Sequence, residues 1–146
     1  MGTNVTAAAI SPNGRWLAVV GPDDRLQLCE LEDQAKRSVS ELSSNHWHRP
    51  LVTFSPDNRS LAWVEQLGEI RLWSLADDKE FARINARHHR SNSLGLAFSP
   101  DRRTLAYTTG NNGEILLWDL ESHSVVRRFI GHKGPVYVLA FSPDGH

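Results

Sequence analysis

The sequence predicts an all-β protein assembled from repeats of a four-stranded antiparallel sheet, and three observations carry that prediction. The pair Ser-Pro recurs at Ser11-Pro12, Ser55-Pro56, Ser99-Pro100 and Ser142-Pro143, at steps of 44, 44 and 43 residues. A second motif keeps the same step: Leu28-Cys29-Glu30-Leu31, Leu72-Trp73-Ser74-Leu75 and Leu117-Trp118-Asp119-Leu120 stand 44 and 45 residues apart. Between the motifs lie short runs of β-forming residues bounded by Pro, Asp, Asn and Gly, which read as strands joined by tight turns. Two independent motifs on one period mark a true internal repeat.

The unit is clearest in residues 94–134. AFSPD (Ala97 to Asp101) ends its first run, and TLAYTTG (Thr104 to Gly110) is the second. After the turn Asn111-Asn112-Gly113 comes EILLWDL (Glu114 to Leu120), then VVRRFIG (Val125 to Gly131). The Ser-Pro turn has a physical spelling. Proline presets φ, and the Asp or Asn that follows can accept hydrogen bonds from the backbone just ahead. Gly14 and Gly145 suit a position needing positive φ, where Asn58 is tolerated and Arg102 is a poor fit. The same template predicts a first unit over 5–44, with strands at 5–10, 16–20, 26–31 and 38–42. A second unit covers 50–88, with strands at 51–54, 60–65, 69–74 and 80–85, and the third covers 93–131. Residues 135–141 supply the first strand of a fourth. Its core, VYVLAF, is apolar enough to be covered on both faces, whereas Arg127 and Arg128 make 125–130 an outer, wetter strand.

Gly131-His132 and Trp118-Asp119, on a period of roughly 40–45 residues with four strands per unit, resemble the WD-repeat β-propeller family. The resemblance covers almost the whole chain. It implies an open partial propeller of about three blades plus the first strand of another. In that family a His, a Ser or Thr, an Asp and the Trp form a hydrogen-bonded tetrad within a blade. Carried over by position, it implies His89, Thr108, Asn112 and Trp118 in the third blade, with Asn where Asp is expected. Trp73, Asp119, Gly131 and His132 are further signature residues. The second blade keeps only Trp73 of its tetrad, and in the first Cys29 replaces the tryptophan. With no complete tetrad, stability is expected to come from packing between blades.

Composition excludes several classes of function. The 146 residues carry 16 basic and 17 acidic side chains, a formal net charge of −1, which gives no steering toward nucleic acid or an anionic membrane. The single cysteine rules out a disulfide framework. No window approaches the ~18 apolar residues of a membrane span, and Met1 to Ile10 lacks the pattern of a signal peptide. These features predict a cytoplasmic protein. His46, His48, His88, His89 and His132 all fall between units, but a zinc site needs three or four converging ligands, and adjacent blades separate them. The repeated Ser-Pro serines behave as structure, and no nucleophile elbow or phosphate loop is present. No catalytic residue, metal or cofactor is predicted.

The resemblance then implies a non-catalytic protein–protein interaction scaffold, as a segment of a larger propeller. The alternatives are a structural arc regulating a separate enzymatic domain such as a kinase, and a metal-binding or hydrolytic propeller. The expected binding surface is the face bearing the loops 45–49, 87–92 and 131–134, with Trp47, His48, Arg49, Arg87, His88, Arg90 and Lys133 as contact residues. The expected partner is a protein or peptide, with neither nucleic acid nor membrane. The rest of the ring is expected in cis or by self-association.

Overall fold

A computed structural model describes residues 5–21, 25–33, 36–41, 51–65, 68–86, 95–109 and 113–145. Among them the chain forms three four-stranded antiparallel sheets, each following the order of the sequence. Sheet 1 contains β1 (Ala7–Ile10), β2 (Trp16–Val20), β3 (Arg25–Glu30) and β4 (Lys36–Glu41). Sheet 2 contains β5 (Val52–Phe54), β6 (Ser60–Val64), β7 (Glu69–Ser74) and β8 (Lys79–Asn85). Sheet 3 contains β9 (Leu96–Phe98), β10 (Thr104–Thr109), β11 (Glu114–Asp119) and β12 (Ser124–Phe129). These twelve strands differ from those expected for the first three units only at their ends.

The Ser-Pro turns form one hydrogen-bond pattern three times over. Ser11, Ser55 and Ser99 each donate their hydroxyl to the carboxylate or amide oxygen two residues on, at Asn13, Asp57 and Asp101. That same oxygen accepts the backbone N–H of Arg15, Arg59 and Arg103 at 3.1, 3.1 and 3.0 Å. The serine oxygen in turn accepts the N–H of Trp16, Ser60 and Thr104 at 2.8, 2.9 and 2.9 Å. The turn thereby satisfies polar groups that the start of the next strand would leave orphaned. Gly14, Asn58 and Gly145 hold positive φ as expected, and Arg102 adopts it too, at 66°. The poor fit of an arginine there is overridden by the closed turn around it.

Alternation along the strands sets the packing. Successive side chains point to opposite faces of a sheet, so sheet 2 serves two interfaces. Leu61 and Trp63 face sheet 1, where they join Trp16, Ala18, Leu26 and Leu28 in one buried cluster. Ala62, Ile70, Leu72 and Ile84 face sheet 3 and join Leu105, Tyr107 and Leu116 in the other. The first strands lie side by side, β1 against β5 and β5 against β9, so the sheets are stacked in series around a common inner line. This is the open, propeller-like arrangement that the repeat predicts.

Two expectations fare differently. Strand β12 is exposed along its whole length, in keeping with an outer, wetter strand. Residues 135–141, where the first strand of a fourth unit is expected, form no strand ladder among the described residues.

Candidate functional site

Strand order places the candidate surface. Each sheet is entered through its innermost strand and left through its outermost, and the strands between alternate in direction. The strand ends that flank the connections between sheets, and those that flank the β2–β3, β6–β7 and β10–β11 turns, therefore lie at one end of the array. The Ser-Pro turns lie at the other.

At that end, the segment after β12 folds against Gly113, just before β11. A Cβ placed on Gly113 would stand 2.3 Å from the Gly134 carbonyl oxygen and 2.6 Å from the His132 Cβ. Only glycine fits so close an approach, and φ at Gly113 is 62°. Gly131, His132 and Lys133 are exposed there. Trp47, His48, Arg49, Arg87, His88, His89, Arg90 and Asn112 lie outside the described residues.

Sheet 2 adds a charged cluster that the sequence reading missed. Arg71 on β7 bridges Glu65 at 2.9 Å, Glu80 on β8 at 3.1 Å and Glu69 at 3.9 Å. Arg83 also pairs with Glu80, which lifts the Arg83 guanidinium above its ordinary range through that hydrogen bond. Cross-strand register sets Arg71 opposite Arg83 and Trp73 opposite Glu80. All these groups thus share the face that looks toward sheet 1. The signal was present as same-parity charges on neighbouring strands, but it can be read only once the register is known.

Of the implied tetrad, the described residues include only Thr108 and Trp118. Thr108 is fully buried, accepts the Gly95 N–H at 2.7 Å and donates to the Val136 carbonyl at 3.1 Å. Trp118 pairs with Leu105 in the β10–β11 register, and Thr108 pairs with Ile115. Thr108 and Trp118 consequently lie on opposite faces of sheet 3, and no hydrogen bond joins them. Leu105, Tyr107 and Thr109 of β10 share the face of Trp118, and the Thr109 hydroxyl lies 3.4 Å from a Glu114 carboxylate oxygen. Among the described residues, the indole nitrogens of Trp63, Trp73 and Trp118 are buried without a hydrogen-bond partner. Trp73 instead packs against Trp63, with ring centroids 6.3 Å apart and a 53° tilt. Asp119 closes the β11–β12 turn by accepting the N–H groups of Ser122 and Glu121 at 2.7 and 3.2 Å. The bond from the Ser122 backbone holds its carboxyl below the usual carboxylate range.

No group of three or more His, Cys, Asp or Glu able to hold a metal occurs among the described residues. At the Ser-Pro end, Arg102, Arg103, Asp119, Leu120 and Glu121 line a shallow, open depression of about 240 Å³ with charges of both signs. Among the described residues no helix is long and apolar enough to cross a membrane.

Stacked four-stranded meanders whose first strands share an inner line define a repeat protein of the β-propeller class. The WD40 family model, described as "WD domain, G-beta repeat", matches residues 2–29, 83–119 and 123–146, and the chain belongs to this family. The match over 83–119 begins within β8 and ends with β11, so the sequence unit is staggered against the sheet and ties sheet 2 to sheet 3. The chain is 26% identical to the WD repeat-containing protein sll1491 of Synechocystis, over 97% of this chain and 39% of that protein. It is 25% identical to pre-mRNA-processing factor 17 of Homo sapiens, over 80% of this chain and 20% of that one. It is also 25% identical to actin-interacting protein 1-2 of Arabidopsis thaliana, over the whole chain and 24% of the relative. The chain thus spans well under half the length of these relatives. A solved structure, titled "Structure of U3-55K", superposes with a TM-score of 0.73 over 94% of this chain and 42% of that one. At 19% identity that likeness concerns the fold.

Proposed function

We propose that the chain is a non-catalytic protein-interaction scaffold, acting as a segment of a larger propeller and reading a protein or peptide at the end where its sheets are joined. The observation that carries this reading is the division of labour between the two ends. One end repeats the same Ser-Pro turn chemistry in every sheet. The segments that join one sheet to the next differ in sequence from copy to copy: 45–49 with Trp47, 87–92 with Arg87 and Arg90, and 131–134 with Lys133. A rigid stack that presents dissimilar loops on one end is suited to recognition. Tryptophan and arginine are the side chains that most often anchor an interface. The name of the Arabidopsis relative, an actin-interacting protein, supports an interaction role.

The test compares proteins captured by the immobilised chain with those captured by two variants. Trp47→Ala combined with Arg87→Ala and Arg90→Ala should lose the partner. Arg59→Ala combined with Glu121→Ala, at the opposite end, should keep it. Retention of every partner by the first variant overturns the assignment of this surface.

A further inference from the structure

The Ser-Pro turn of sheet 1 differs from its copies in one chemical respect. Where sheets 2 and 3 place Asp57 and Asp101, sheet 1 places Asn13, and Gly14 follows it. Asparagine before glycine is prone to deamidation, because the glycine nitrogen can approach the side-chain amide with no Cβ in the way. Both residues are exposed, and nothing lies within 4 Å of the place where a Cβ on Gly14 would stand.

The reaction needs only water. The Gly14 nitrogen attacks the Asn13 side-chain carbonyl carbon, closing a five-membered imide. The bond from that carbon to the side-chain nitrogen breaks, and ammonia leaves with the proton that Gly14 gives up. Water then opens the ring. Opening at the side-chain carbonyl gives aspartate, and opening at the main-chain carbonyl gives isoaspartate.

The turn ties down both reacting groups. The Gly14 N–H donates to the Ser11 carbonyl at 2.8 Å, so the attacking nitrogen is held in a hydrogen bond that it must leave. The Asn13 side-chain oxygen accepts the Ser11 hydroxyl at 2.7 Å and the Arg15 N–H at 3.1 Å. The Asn13 N–H donates to the Asn58 side-chain oxygen at 2.8 Å, which anchors the turn to sheet 2.

We propose that Asn13 is a deamidation site guarded by its own turn, converting only when that turn opens locally. The two products have opposite consequences. Aspartate is what the other copies carry, and Asp57 and Asp101 accept the same pair of hydrogen bonds. Isoaspartate adds a methylene to the main chain between residue 13 and Gly14. That insertion falls inside the ring closed by the bond from Gly14 to Ser11, so the turn no longer closes in register. The site is thus a one-way record of openings in sheet 1.

Peptide mapping by mass spectrometry, on the full chain held at mildly alkaline pH, tests the proposal. Mapping separates Asn13 from Asn112-Gly113, the other such pair in the sequence. Asn13 should convert about tenfold more slowly, or slower still, in the folded chain than in a free peptide of residues 10–16, because the turn's hydrogen bonds must first be given up. Ser11→Ala should speed the conversion severalfold. Ser99→Ala removes the matching hydroxyl from the turn of sheet 3 and should leave the Asn13 rate unchanged. In the wild-type chain the rate should stay nearly flat in low urea, since a local opening exposes little surface. A folded chain that converts as fast as the peptide overturns the proposal, as does a Ser11→Ala chain that converts no faster than wild type. Equal acceleration by the two serine substitutions, or a steep rise of the wild-type rate with urea, makes global unfolding the route and overturns it as well.

Discussion

The hydroxyl of Thr108 on β10 donates to the carbonyl of Val136 at 3.1 Å while accepting the Gly95 N–H at 2.7 Å. One buried side chain thus fastens both the segment that enters sheet 3 and the segment that leaves it. Replacing it with Val keeps the shape and removes both bonds, leaving a buried N–H and a part-buried carbonyl without that partner. A lost partner of this kind costs about 1–3 kcal/mol. Thr108→Val should lower the urea midpoint accordingly, and Thr108→Ser should recover most of the loss. Equal stability for all three proteins would remove the clamp.

The interface between sheets 1 and 2 turns on Trp63, which is 1% exposed and packs on Trp73. Truncating a buried tryptophan to alanine costs roughly 3–5 kcal/mol, because the cavity is filled only in part by relaxation. Domains of ordinary stability have only about 5–15 kcal/mol in reserve. Trp63→Ala should therefore bring the chain close to unfolding, with sheets 1 and 2 losing amide protection first.

Arg102 holds a φ of 66° that favours glycine. The left-handed conformation costs a side-chain-bearing residue about 1–2 kcal/mol, and glycine loses about 0.5–1 kcal/mol through its freer unfolded chain. The balance favours Arg102→Gly by about 0.5 kcal/mol, measurable as a raised denaturant midpoint. A lowered midpoint would show that the arginine side chain contributes more than its backbone costs.

Asp101 makes the Ser-Pro turn of sheet 3 sensitive to pH. The hydrogen bond from Ser99, reinforced by the Arg103 N–H, holds its carboxyl below the usual carboxylate range. A carboxyl whose folded value is depressed contributes stability that is present above its unfolded value, near 4, and is lost as pH falls through the folded value. Because the group is exposed, the contribution is well under ~1 kcal/mol. The stability gap between wild type and Asp101→Asn should thus be steady from neutral pH down to about 5 and narrow progressively below about 4. A gap independent of pH would show that the aspartate acts only through its shape.

How much of this was legible in the sequence depended on what each residue has to satisfy. The fold was readable because Ser11, Ser55 and Ser99 must each close the same turn, and identical chemistry imposes identical spelling. The site was less so. The pairing of Thr108 with Trp118 follows from counting along the chain, but the faces of a sheet are fixed by register, and an offset of one residue exchanges them. Thr109, not Thr108, shares a face with Trp118. The Arg71 cluster was hidden for the same reason, since Glu65, Arg71 and Glu80 converge only when three strands are aligned. The loops carrying Trp47 and Arg87 obey no repeat, so spacing offers no constraint on them.

The stagger between sequence unit and sheet bears on how such a chain can grow. A unit that runs from the last strand of one sheet through the third strand of the next encodes a junction rather than a building block. Duplicating it inserts a new sheet together with both halves of its contacts. The array then lengthens without a mismatched seam, and the genetic material for one more sheet already specifies how it will adhere to its neighbours.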